Sequence, residues 1–425
     1  MKRLTKKSIL HFLLIMFVIT LLFELIDIPV AEKGNPDSFI KYLDTKVPVY
    51  LKKYTTAGLS VGLIHDGKII FLKGYGYADL DKKISVTEKT LFQAASVSKP
   101  VAAVGIMRLV EKGNISLDSP VQNYLTRWHF PEGEYDSSEV TIRRLLSHSA
   151  GLANPAYGYD GSESPDSLRS IEESLSHQRE GVKIEYKPGT QYLYSGVGYT
   201  LLQLLIEEQT GLRFNDYMKK AVLSPLKMDS STYESGEVDQ KNLAIVYSDE
   251  GNALPNLYFT EKAAAGLYSN TEDLSEFVLS MIPADTSDRH TNLLKPETLK
   301  EINLPQKDIK DRQPFGLGFA LQKPLFRDYY EVYHYGTQGP GWISYIAFFP
   351  DKKEGIVMLS NSPGGQAIRY QIRTSWLQWV TGSTNYMMKI QKLVNILKII
   401  IPVTFFGLIL LSILLFIKSR MKLKN

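Results

Sequence analysis

Leu59-Ser-Val-Gly-Leu-Ile-His65 and Lys68-Ile-Ile-Phe-Leu-Lys73, joined by Asp66-Gly67, form the stretch on which the fold turns. Both arms are short and mostly apolar, and Asp-Gly accepts the positive φ angles that a two-residue hairpin turn requires. The main domain therefore opens with an antiparallel hairpin. Near the other end, Trp342-Ile-Ser-Tyr-Ile-Ala-Phe-Phe349 and Gly355-Ile-Val-Met-Leu-Ser360 flank Pro350-Asp351 and read as a second strand pair. Between the pairs the pattern turns helical, over 101–111, 167–176, 199–209, 214–221 and 271–281. Residues 366–380 read as a last helix, with Trp376 and Trp379 expected to pack on the sheet rather than face solvent. Strands at both ends with helices between them predict an α/β fold of the α+β kind. One antiparallel sheet is built from both chain ends and flanked by helices, with a mainly helical insertion over about 115–280.

The 425 residues are 44% hydrophobic and 22% charged, with 25 Tyr and 18 Phe, which excludes a disordered or collagen-like chain. There are no cysteines, so disulfides, thiolate metal sites and cysteine nucleophiles are excluded. The formal net charge is +4, but Lys2, Arg3, Lys6, Lys7, Lys418, Arg420, Lys422 and Lys424 sit on the two tips, and removing those eight leaves −4. An acidic body with basic ends does not fit nucleic-acid binding, which needs a basic face on the folded domain.

The basic tips point to a membrane. After the tip at 1–7, residues 8–28 are apolar apart from a few positions such as His11 and Glu24, and read as an export signal, either cleaved or kept as an anchor. Residues 399–417 are 19 in number and carry no charge, which matches the roughly 30 Å hydrocarbon layer at about 1.5 Å per residue. The basic tail at 418–425 follows at once, and positive flanks favour the cytoplasm. The expected layout is a transmembrane helix at each end, both termini cytoplasmic, a domain at 37–380 outside the cell membrane, and a linker at 381–398.

Two serines compete as nucleophile. Gly58-Leu-Ser60-Val-Gly62 has the G-x-S-x-G spacing, but that elbow needs a strand, a sharp turn and a helix, whereas Ser60 lies inside a hairpin strand. Ser96-Val-Ser-Lys99 stands at the start of an apolar helix, and residues three apart share a helix face, so the Lys99 amine reaches the Ser96 hydroxyl. Apolar surroundings favour a neutral lysine and hence a base. Helix-start N–H groups suit a developing oxyanion. On spacing alone Ser96 could equally be a helix cap. Tyr194 stands on a loop just ahead of a helix, with either a packing or a functional role. Tyr333-His334-Tyr-Gly336-Thr337 precedes the second strand pair, where a glycine lets another backbone come close. No H-E-x-x-H and no helix-spaced pair occurs among the seven histidines, so no metal and no cofactor are expected.

Taken together these segments resemble the serine β-lactamase and penicillin-binding protein superfamily, in its class C β-lactamase-like branch. The resemblance rests on the order S-x-x-K, Y-x-(N), (K or H)-x-G. Arg144-Leu-Leu-Ser-His148-Ser-Ala-Gly-Leu152, similar to the family stretch L-L-T-H-T-S-G-L, adds to it, as do Pro188-Gly-Thr and Leu223-Ser-Pro-Leu-Lys-Met228. It implies acyl transfer in which Ser96 attacks a carbonyl and Lys99 and Tyr194 handle its proton. It further implies an oxyanion held by the N–H groups of Ser96 and Thr337, with His334 in the basic position of the third motif and Gly336 allowing the strand to pair with substrate. His148 reads as structural. Gly196 stands where the β-lactamases and D,D-peptidases carry an amide-holding Asn, which favours an ester substrate. The expected function is a membrane-anchored serine hydrolase acting on an ester or a D-amino-acid-containing amide, with cell-wall components among its candidates. The rivals are an idle binding or scaffold protein and a β-lactamase. The implied partners are that small-molecule or cell-wall substrate and the lipid bilayer; no protein partner is implied.

Overall fold

The computed structural model describes residues 31–152, 161–177, 182–283, 293–306, 314–324, 327–339, 341–382 and Gly407. The two apolar runs at 8–28 and 399–417 (Gly407 apart), both tips, and the linker beyond residue 382 lie outside the described residues. No helix among the described residues is long and apolar enough to cross a membrane.

The larger of two compact units, Ile40–Arg373, holds a seven-stranded antiparallel sheet. Its strands are β1 (Gly58–His65), β2 (Lys68–Asp79), β3 (Ile84–Ser85), β4 (Ala320–Gln322), β5 (Glu331–Gln338), β6 (Trp342–Phe349) and β7 (Glu354–Ser360). The order β3-β2-β1-β7-β6-β5-β4 joins the two chain ends at the centre, where Val61 pairs with Met358 and Gly62 with Val357. The hairpin turn has Asp66 at φ 49° and Gly67 at φ 70°, the positive pair that the sequence asks for. β7 and β6 are buried at every position, as expected of strands covered on both faces. Ser60 lies wholly buried within β1, opposite Leu359 and Gly74, and takes no part in an elbow.

Helix α1 (Pro36–Lys53), which the sequence reading did not include, precedes the sheet. α2 (Ser98–Glu111), just ahead of the insertion, and α3 (Gly196–Thr210), within it, are largely buried helices, and α4 (Thr271–Ser280), at the end of the insertion, packs across β7 and β1. A Cβ on Gly62 would stand 2.4 Å from Ser275 Oγ, so the glycine is what lets α4 approach. The helix expected at 167–176 begins later, at Ile171–His177, after a short turn at Pro165–Ser167. The expected helix at 214–221 is an α-helical piece, Phe214–Met218, followed by a π-helical turn, Lys219–Leu223. Much of the rest of the insertion is irregular. The last helix, Gly365–Thr381, begins in this unit. In the smaller unit, Trp376 and Trp379 are buried and Trp379 stacks on Phe39 at 5.0 Å.

Candidate active site

Chain topology brings Ser96, Lys99, Tyr194 and His334 from three separate regions onto one cavity of about 520 Å³ or immediately behind it. Ser96 lies in a single 3₁₀ turn, Ala95–Val97, that leads directly into α2. Ala95, just before it, has φ 47°, a left-handed conformation that a non-glycine residue holds only when its surroundings force it. The forcing contacts are visible. Ala94 donates to the Leu267 carbonyl at 2.7 Å, and its own carbonyl accepts from Ser344 Oγ at 2.6 Å. Ser98 Oγ donates to the Ala95 carbonyl at 2.6 Å and accepts from the Leu267 amide at 2.9 Å.

β5 supplies the opposite wall. A Cβ on Gly336 would fall 2.8 Å from Ser96 N and 2.3 Å from Ser344 Oγ. The glycine is therefore needed so that the Ser96 turn can seat against the strand, and it is the protein's own backbone, not open space, that fills the position of the missing side chain. This places Thr337 beside that turn, with its side chain on the cavity wall. β4 pairs with β5 only at 331–333, which leaves 334–338 unpaired on that edge among the described strands.

Lys99 is fully buried on α2, with Nζ 3.4 Å from Ser96 Oγ and 2.7 Å from the Ala264 carbonyl, to which it donates. Burial lowers its pKa to about 7, so a large neutral fraction is present near neutrality. Tyr194 precedes the Ser195 cap of α3, and its ring lies 5.0 Å from Lys99 Nζ. Burial pushes the Tyr194 phenol well up, and its hydrogen bond with the Ser96 hydroxyl pulls the other way. Of the two groups beside Ser96, the lysine is thus the one poised to accept a proton.

His334 is buried on β5, and its Nδ1 donates to the Tyr335 carbonyl at 2.9 Å. Burial first, and the nearby Lys99 second, push its pKa down to about 3, so it is neutral and carries a lone pair on Nε2. A neutral imidazole does not hold a carboxylate by charge. Orienting the tyrosine, rather than a substrate carboxylate, is the task that suits such a ring. Gly196 is the first residue of α3; it is buried and does not line the cavity.

The sequence reading missed the cavity's aromatic walls. Tyr192, Phe315, Tyr333 and Tyr335 line it together with Ala320, and no charged side chain does so among the described residues. They come from three segments, and although Tyr333 and Tyr335 flank His334 in its motif, nothing local marks any of these rings as a cavity wall. One group among the described residues could bring three metal-ligand atoms together: His65, Asp66 and Glu354, at the β1–β2 turn. There His65 Nδ1 already meets Glu354 Oε1 at 2.7 Å, and burial, then Asp66, push the Glu354 carboxyl up to about 8.

The chain as a whole is similar to known proteins. The family model described as Beta-lactamase matches residues 43–377. Protein flp of Staphylococcus aureus (strain NCTC 8325 / PS 47) is 26% identical over 326 residues, covering 75% of this chain. The match spans 62% of that relative's length. The mouse (Mus musculus) mitochondrial serine beta-lactamase-like protein LACTB is 26% identical over 397 residues, covering 72% of each chain. Among solved structures, the octameric penicillin-binding protein homologue from Pyrococcus abyssi superposes with a TM-score of 0.65 at 27% identity, covering 79% of this chain and 77% of that one.

Proposed function

The chain belongs to the beta-lactamase family, and from that premise we propose that it is a membrane-anchored serine hydrolase working outside the cytoplasm through a Ser96 acyl-enzyme. The observation that carries the reading is a serine hydroxyl 3.4 Å from a buried lysine whose pKa is lowered to about 7, opening on a cavity. Ser96 Oγ attacks the substrate carbonyl carbon while its proton passes to Lys99, directly or by way of the Tyr194 hydroxyl. The carbonyl oxygen takes the negative charge between the Ser96 and Thr337 amides. Collapse breaks the bond to the leaving group, which takes up the proton, and water then repeats the sequence to free Ser96. His334 accepts through Nε2 and orients the tyrosine.

An ester is the favoured substrate, and a D-amino-acid-containing amide the next. Gly196 offers no side chain to hold a substrate amide, and the aromatic cavity walls suit an uncharged acyl group. Membrane attachment rests on the apolar runs at 8–28 and 399–417 with their basic flanks. The catalytic domain lies outside the cell and both termini lie inside. Cell-wall components are reachable from that position.

The test is intact-mass spectrometry of the purified full-length chain mixed with a short aryl ester, alongside Ser96→Ala. An acyl adduct on the wild type alone is expected. A folded wild type that gains no adduct and releases no phenol overturns the hydrolase in favour of a binding protein. Nitrocefin turnover above the Ser96→Ala background would move the substrate from ester to β-lactam.

A further inference from the structure

His148, which the sequence marks only as part of a family-like stretch, lies directly against the candidate proton relay. Its ring is buried and tilted over Tyr194 at 4.3 Å between centroids. Two hydrogen bonds from this one residue bracket Tyr194. The His148 carbonyl accepts from the Leu193 amide at 2.8 Å, and its Nδ1 accepts from the Ser195 amide at 3.0 Å. Backbone amides only donate, so Nδ1 carries a lone pair and the proton of the neutral ring resides on Nε2.

That Nε2 is buried and has no hydrogen-bond partner among the described residues. His148 also holds φ 56°, in the left-handed region. A histidine kept only for packing would be readily replaced by a residue that leaves no buried N–H unmet. Here a neutral ring, a missing partner and an uncommon backbone conformation are all tolerated, and what they secure is one acceptor atom aimed at Ser195. Burial, and then the nearby Lys99 and His334, keep the ring uncharged.

We propose that His148 is a positioning residue that clamps the backbone on both sides of Tyr194, through its carbonyl to Leu193 and its Nδ1 to Ser195, and so fixes the phenol over Ser96. It touches no substrate and does not line the cavity. The proposal rests on the hydrolase reading for its purpose, while the clamp itself is a matter of geometry.

Two measurements test it. In the full-length enzyme, His148→Phe keeps a ring but loses the acceptor, whereas His148→Asn places Oδ1 near the lost Nδ1 and suits positive φ. His148→Phe is expected to lower the acylation rate constant by about 100-fold, the penalty of a misplaced catalytic group, with KM unchanged. His148→Asn should remain within about fivefold of wild type. In a Tyr194→Phe background the His148→Phe penalty should shrink to within about threefold, because residues acting through one group are not additive. An equal penalty in both backgrounds, or Asn as damaging as Phe, overturns the proposal.

The second measurement is amide hydrogen exchange at Ser195, which needs no substrate and, for wild type and His148→Asn, no ring variant that has to fold. Protection in both is expected, and a Ser195 amide that exchanges freely in folded wild type overturns the clamp. A wild type that never acylates while Ser195 stays protected would sink the hydrolase reading, and with it the catalytic purpose of His148, but not the clamp.

Discussion

Glu331 and His334 lie three residues apart on β5, both buried, yet the structure treats their ionisable groups in opposite ways. Glu331 is matched by Arg373 and Tyr345. Arg373 Nε donates to Oε1 at 2.8 Å, Arg373 Nη2 pairs with Oε2, and the Tyr345 hydroxyl donates to Oε1 at 2.6 Å. The Arg373 cation is held charged, its pKa raised despite burial. Three residues along the strand the cavity wall holds no carboxylate among the described residues, and burial drives His334, and Lys99 behind it, toward neutrality. Paired charge gives a rigid and unreactive cluster, whereas an amine whose pKa burial lowers becomes a base near pH 7.

Experiments can break this contrast from either side. The largest effect is expected from Ser96→Ala or Lys99→Met, each lowering acylation by at least about 10³-fold in single-turnover mass spectrometry, because nucleophile and base act as a unit. Next comes Glu331→Ala, which strands the Arg373 cation in the interior. Denaturant melts should show a loss of about 3–5 kcal/mol, and the folded fraction should retain its acylation rate.

A smaller effect follows from the lysine itself. Lys99 must be neutral to accept a proton, so kcat/KM should rise about tenfold per pH unit below its pKa of about 7 and level off above it. A flat profile between pH 5 and 8 would remove Lys99 as the base. The same depressed pKa has a consequence for stability. The unfolded chain binds a proton at Lys99 up to about pH 10.4 and the folded chain only to about 7, so below the unfolded value this group opposes folding. Lys99→Met, though inactive, should therefore melt a few degrees higher at pH 7, on the order of 1 kcal/mol, by calorimetry. A lower melting temperature would show that the Ala264 hydrogen bond outweighs the burial penalty.

The two hairpin arms, the strands at 342–349 and 355–360 and the helix after Ser96 were readable because each carries its own period or turn chemistry. Asp66-Gly67 marks its own turn. By contrast β5 was legible only as the approach to a strand pair, since Tyr333-His334-Tyr335-Gly336-Thr337 contains no apolar alternation. The late start of the helix at Ile171 has a local cause, the reciprocal capping box in which the Ser170 amide donates to the Glu173 carboxylate and the Glu173 amide to the Ser170 hydroxyl.

The site divides in the same way. Ser96 and Lys99 could be paired from their spacing, because a helix by itself brings residues three apart together. Tyr194 and His334 could be nominated only through the family resemblance, since nothing local sets their distance to Ser96. His148 was read as structural because its use lies in a contact with Ser195, 47 positions away.

By itself the sequence determined the opening hairpin, the strand pair at 342–360, the helix after Ser96, the absence of thiol chemistry, the apolar ends with their basic flanks, and one serine–lysine pair, all properties carried by neighbouring residues. Only the tertiary structure decided that Lys99 loses its solvent, that His334 is neutral, and that Gly336 must yield its side-chain space to the Ser96 turn. The physical reason is that hydration, proton affinity and steric fit depend on every atom nearby, and those atoms come from parts of the chain that sequence order keeps apart.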